Sequence, residues 1–131
     1  MNIVDVPARC SFILPSILRR DQLTIAVSTE GASPSLAKRI RQRLEGLFPP
    51  AYGAYLRLAA IAREHMRRQG LSYTQRDDFF GDFFNSETLS FLAEKNETAA
   101  LAATVDLLHS YHIEIAPEKL ARELKESGEG R

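Results

Sequence analysis

Cysteine is almost absent. Cys10 stands alone among 131 residues, so no internal disulfide can form, and a reducing cytoplasm is the expected location. Net charge is absent as well. Seventeen Lys and Arg balance 17 Asp and Glu, which gives no whole-chain reason to expect nucleic acid or a membrane surface as partner. No apolar run reaches the roughly 18 residues of a spanning helix, so no transmembrane segment is expected. The opening MNIVDVPARC lacks the basic-then-apolar layout of a secretory signal. The seven glycines (Gly31, Gly46, Gly53, Gly70, Gly81, Gly128, Gly130) compose no G-x-G-x-x-G, so the chain carries no dinucleotide fingerprint of its own. What is present is ordinary globular material, 44% apolar and 26% charged, enough for a modest core.

The organising stretch runs from Asn2 to about Glu45. Ile3-Val4, Asp5, Val6 and Pro7 read as a strand tip leaving a sheet, because proline cannot donate to a ladder. No earlier strand exists to pair with it, so a fragment, or a domain whose neighbour lies elsewhere, is expected. Phe12 to Leu18, broken by Pro15, predicts an edge or kinked strand, with Arg19 to Gln22 as the turn. Leu23 to Ser28 alternates as a half-buried strand. The two runs predict a hairpin, which alone is marginal in water and must join another sheet or a second copy. From Ser33-Pro34 the period changes to helical, with Leu36, Ala37, Ile40, Leu44, Leu47 and Phe48 on one face until Pro49-Pro50.

Helices then follow one another. One spans Ala51 to Gln69, with Tyr52, Tyr55, Leu56, Ala59, Ala62 and Met66 inward and Gly70 as its stop. Thr74 with Asp77 resembles a capping box and opens a helix whose Phe79, Phe80, Phe83 and Phe84 read as core anchors. Ser86 to Glu94 is a short helix. Asn96 caps a helix through His109, with Leu101, Val105 and Leu108 inward. Ala116-Pro117 opens a last helix, with Leu120 and Leu124 inward and Gly128 closing it. The predicted class is α+β: a short hairpin region followed by a mostly helical domain of five to six helices.

Three features could carry chemistry. Asp5 sits among apolar residues at a strand end, where partial desolvation raises a carboxyl pKa and suits proton transfer; the competing reading is a solvated turn residue before Pro7. Ser28 to Pro34 is a hydroxyl-rich turn entering a helix N-terminus, a place for a carboxylate or phosphate, or simply a cap; Glu30 sits awkwardly in an anion site. Arg19, Arg20, Lys38, Arg39, Arg41 and Arg43 form a basic concentration suited to a polycarboxylate or a nucleic acid, or a solvated helix face. His65, His109 and His112 are scattered without metal-ligand spacing. Cys10 has no histidine partner motif.

The residues of Asn2–Pro7, Ser11–Ile17, Leu23–Thr29 and Gly31–Arg41, taken with their spacing, closely resemble the siroheme synthase family. The resemblance is specific to about Phe48, looser to Phe84, and carries little information from Asn85 onward. It implies precorrin-2 dehydrogenase and sirohydrochlorin ferrochelatase chemistry (an oxidoreductase and a lyase), a tetrapyrrole substrate, iron as the inserted metal and a homodimer built by strand exchange. It also implies that residues 1–10 end an NAD-binding Rossmann-type domain, 11–48 form the dimerisation region and 49–131 the helical domain. NAD would then be bound outside this chain, and the isolated chain is expected to be inactive in the NAD-dependent step. The family's catalytic aspartate falls on Asp5, and its turn hydroxyl falls on Thr29 beside Ser28. Asn2, Ser28, Thr29, Ser33 and Lys38 are the implied substrate contacts. The family usually has glycine where Glu30 stands. Two rival readings remain: a non-catalytic dimerisation or interaction module, and a small nucleic-acid binder using Lys38 to Arg43.

Overall fold

The computed structural model describes residues 14–129. Asn2, Asp5 and Cys10 lie outside the described residues, as does the strand tip around Ile3. The chain divides into two compact units, Met1–Pro49 and Pro50–Arg131. Among the described residues a two-stranded antiparallel hairpin precedes six helices, so the class is α+β and mostly helical.

In the first unit, strand β1 (Ser16–Arg20) pairs with β2 (Leu23–Val27) in the register Leu18 opposite Ile25. The turn is shorter than the predicted Arg19–Gln22. Arg19 and Arg20 remain in the ladder, and only Asp21 and Gln22 turn. Asp21 sits at φ 60°, a conformation that short polar side chains tolerate. Leu23, Ile25 and Val27 point inward, as the alternation predicted, and Leu18 is the strands' one buried residue. Helix α1 (Pro34–Leu47) begins as predicted: Ser33 Oγ accepts the Leu36 N–H at 3.0 Å and Pro34 holds the first helical position.

The predicted inner face of α1 differs from the observed one. Only Ala37 is buried, whereas Leu36, Ile40 and Leu47 are 52%, 39% and 65% exposed. A two-stranded hairpin is too narrow to cover a helical stripe of that width. Arg20 ties the helix to the sheet: its Nε donates to Phe48 O at 2.8 Å, beside the orphan carbonyls of the helix end. Arg41 does the same from the other side, donating to Ser16 Oγ at 2.7 Å and pairing with Glu45.

The second unit packs α2 (Ala51–Arg68), α3 (Tyr73–Phe84), α4 (Thr88–Ala93), α5 (Glu97–Ser110) and α6 (Pro117–Glu129) around one core. Its centre is Leu58, Ala62, Met66, Phe79, Leu108 and Leu120, each 0% exposed. Tyr55 stacks on Phe83 with ring centroids 4.8 Å apart, and its hydroxyl donates to Phe83 O. Burial, with a smaller contribution from Tyr52, pushes the Tyr55 phenol up to about 12. Tyr111 also rises to about 12, chiefly because its hydroxyl donates to Asp82 at 2.7 Å.

Several local expectations shift. The α3 capping box is Ser72 with Gln75, two residues before the predicted Thr74. Gly70, at φ 83°, stops α2 early enough for Ser72 to take the extended cap conformation. Of the four phenylalanines, Phe79 and Phe83 are buried, Phe80 is half-buried and Phe84 is 69% exposed. On α2 the buried stripe is Tyr55, Leu58, Ala62 and Met66, while Tyr52, Leu56 and Ala59 flank it. On α5, Thr104 rather than Val105 is fully buried, its hydroxyl donating to Ala100 O. Gly128 lies inside α6 rather than past its end.

Candidate functional site

The turn between β2 and α1 brings three of the sequence-predicted site residues together. Glu30 N–H donates to Ser28 Oγ at 3.1 Å, and Ser33 N–H donates to Thr29 Oγ1 at 3.0 Å. Ala32 N–H donates to Thr29 O, and Ala37 N–H to Ser33 O, each at 3.0 Å. With Leu36 capped by Ser33, the amides of Glu30, Ala32, Ser33, Leu36 and Ala37 all have acceptors inside the segment. An incoming anion therefore finds few backbone donors, so of the two readings of this stretch the hydrogen bonds match the cap rather than the open anion site. What remains is hydroxyl chemistry. A hydroxyl oxygen that accepts a backbone N–H still has its own proton to donate, so Ser28, Thr29 and Ser33 can each offer one O–H. Ser28, Thr29, Gly31 and Pro34, with Leu14, Val27 and Ala37, line a cleft of about 90 Å³.

Glu30 and Gly31 occupy successive left-handed positions, φ 55° and 87°. For glycine this costs nothing special. For glutamate it is a strained choice, and the strain falls where the family resemblance sets glycine.

Lys38 stands apart from this cleft. It lines a separate shallow groove of about 150 Å³ with Ser35, Arg39 and Gln42, on the exposed side of α1. The basic concentration is divided in use. Arg20 and Arg41 serve the hairpin–helix contact, and Arg19 donates to Thr24 Oγ1 at 3.1 Å. Sequence reasoning had no signal for that division, because hydrogen bonding across 25 to 28 residues leaves no local pattern.

In the second unit the histidines go to separate tasks. His65 Nε2 meets Glu123 Oε1 at 2.7 Å, joining α2 to α6, and His109 pairs with Glu114. His112 sits at φ 66° in the turn after α5. Among the described residues no group of three His, Cys, Asp or Glu side chains could hold a metal ion. Nor is any helix among them long and apolar enough to cross a membrane.

Comparison with known proteins bears directly on this turn and helix. Residues 20–47, from the end of β1 through α1, match the family model described as sirohaem biosynthesis protein, central. Siroheme synthases of Salmonella typhimurium, Salmonella enteritidis and Salmonella gallinarum are each 37% identical to the chain over 109 residues, 83% of its length. The chain is a relative of the siroheme synthases. It spans 24% of the length of those relatives. A solved structure named SirC, precorrin-2 dehydrogenase, shares the fold, with a TM-score of 0.56 at 24% identity over 70% of this chain and 45% of that one.

The described residues do not fit a bound dinucleotide. Such a site needs a parallel βαβ unit whose glycine-rich turn exposes backbone amides at a helix N-terminus. Here the sheet is an antiparallel hairpin, and the turn amides are already bonded within the segment.

Proposed function

We propose that this chain is the dimerisation and helical part of a bifunctional siroheme synthase, an enzyme that oxidises precorrin-2 to sirohydrochlorin with NAD and inserts iron to give siroheme. The observation that carries the reading is the 37% identity over 109 residues, which runs through the turn and helix that the central family model matches. NAD is held by residues other than those described. The enzyme works as a cytoplasmic homodimer.

The substrate is a tetrapyrrole with eight peripheral carboxylates. Ser28, Thr29 and Ser33 donate hydroxyl protons to one of them, and Lys38 supplies a positive charge one turn along α1, with Asn2 as a further contact. Iron insertion releases two protons from the inner nitrogens as the ferrous ion enters. Asp5 accepts protons at its carboxylate, and it can serve the proton loss of the oxidation in the same way.

The test is anaerobic iron insertion into sirohydrochlorin by the full chain, followed by absorbance, with Asp5→Ala beside it. Loss of insertion in Asp5→Ala, with the dimer retained, is expected. Equal rates for both proteins would refute the role of Asp5. Precorrin-2 oxidation with added NAD should not exceed background, and substantial turnover would refute the placement of NAD elsewhere. The internally bonded turn favours one second reading, a dimerisation module without chemistry. Under that reading wild type and Asp5→Ala are equally inert while both remain dimeric.

A further inference from the structure

The second unit contains a cleft of about 510 Å³ between α2 and α6, lined by Ala54, Arg57, Glu97, Ala121, Arg122, Leu124 and Lys125. That volume falls within the roughly 300–1,000 Å³ typical of small-molecule sites. Its walls combine two chemistries. Ala54, Ala121 and Leu124 supply an apolar floor, and three cations stand against one carboxylate, in a chain of zero net charge. The cation deepest in the wall is also held in place. Arg57 Nη1 reaches Leu124 O at 3.4 Å across the two helices. A Cβ added at Gly128 would lie 2.4 Å from the same Nη1. A glycine within a helix is locally unfavourable, and here its missing side chain is the space in which the guanidinium rests.

We infer that this cleft is a binding site for a compact apolar ring bearing carboxylates, with Arg57 as the positioned anchor and Arg122 and Lys125 as the outer clamps. Arg122 and Lys125 are three apart on α6 and project to one side. A guanidinium presents a flat fork to a carboxylate, and the apolar floor takes the ring. A pyrrole ring with carboxylate arms is one member of this class. The inference goes beyond the function proposed above: it concerns residues 54–125, needs neither Asp5 nor the β2–α1 turn, and stands or falls without iron or NAD.

The probe is naphthalene-2,6-dicarboxylate, titrated into the isotope-labelled full chain and followed by amide chemical shifts. Shifts should concentrate at Ala54, Arg57, Ala121, Arg122 and Lys125. Arg122→Ala with Lys125→Ala should weaken binding at least fivefold. Arg63→Ala with Lys119→Ala removes the same charge from exposed positions outside the cleft and should change it less than twofold. Gly128→Ala should weaken binding while leaving the fold intact, since the atom it displaces ends a flexible side chain. Equal weakening by the two double variants would mean general surface attraction and overturn the inference. So would shifts centred on Lys38 and Arg39, or no saturable binding.

Discussion

Glu30 allows backbone strain and charge to be separated by experiment. Its φ of 55° lies in the left-handed region, followed by Gly31 at 87°. A side-chain-bearing residue there costs about 1–2 kcal/mol, while glycine loses about 0.5–1 kcal/mol more backbone freedom on folding. Glu30→Gly should therefore stabilise the first unit by a net of about 0.5–1 kcal/mol. Glu30→Ala keeps the Cβ and its strain and should be neutral within about 0.5 kcal/mol. Gly31→Ala adds strain where nothing lies within 4 Å of the new Cβ, so the loss of about 1 kcal/mol or more is purely conformational. Charge is read by a different assay. A carboxylate about 6 Å from the bound anion, in water-like surroundings, repels it by about 0.7 kcal/mol, less with salt. Under the proposed function, both Glu30→Gly and Glu30→Ala should thus tighten sirohydrochlorin binding about two- to threefold, and to the same degree. Amide exchange in β1 and β2 reports the first quantity and equilibrium titration the second. If Glu30→Ala stabilises as much as Glu30→Gly, the strain argument is wrong. If only the glycine variant binds more tightly, the charge argument is wrong.

Three other outcomes follow from the packing. Phe79→Ala should cost about 3–5 kcal/mol in urea unfolding of the full chain, because the ring is fully buried against Phe83 and Tyr111; Phe84→Ala, at an exposed ring, should stay within about 0.5 kcal/mol, and similar losses for both would contradict the core described. Two of the four tyrosines should ionise late: the phenols of Tyr55 and Tyr111, raised to about 12, favour the neutral form in the fold. Their contribution to stability is full below pH 10 and disappears as pH climbs from 10 through 12; phenolate absorbance should show Tyr55→Phe and Tyr111→Phe each removing one late step, and complete titration of the wild type near pH 10 would exclude it. Arg20→Ala should loosen the hairpin and the end of α1 by about 1–2 kcal/mol, read as faster amide exchange from Ser16 to Val27, and lysine should not restore the lost protection because it lacks the fork.

The elements whose pattern is local could be read from the sequence. The alternation of Leu23, Ile25 and Val27 marked β2, and Ser33-Pro34 marked the start of α1, because both signals lie within a few residues of what they specify. The Ser28, Thr29 and Ser33 grouping followed for the same reason. What stayed hidden depends on distant partners. Arg20 looked like part of a ligand patch until its bond to Phe48 O placed it in the scaffold. Phe84 looked like a core anchor because it falls next to Phe83, yet one step around a helix moves a side chain by about 100° and out of the core. The amides of the turn were hidden in another way. A run of Ser and Thr suits both an open anion site and a closed self-bonded turn, and only the hydrogen bonds distinguish the two.

The first unit leaves a structural question that a second copy would answer. Among its described residues only Leu18 and Ala37 are buried hydrophobics, and a two-stranded hairpin is marginal by itself. Four of its larger apolar side chains face outward: Ile17 is 42% exposed, and Leu36, Ile40 and Leu47 are 39% exposed or more. Covering each gains about 1–2 kcal/mol. Eight such side chains in a twofold pair offer about 10 kcal/mol, close to the cost of association itself, so micromolar affinity requires the hairpin edges to pair as well. Leu36→Glu with Ile40→Glu keeps two good helix formers on α1 while placing charge in the contact. Sedimentation should show wild type as a dimer and the double variant as a monomer. Protection of the hairpin amides should fall with dilution only in the wild type, while the Phe79 core of the second unit holds in both. A wild type that stays monomeric at high micromolar concentration, with its hairpin still protected, would show that the first unit is stable without a partner.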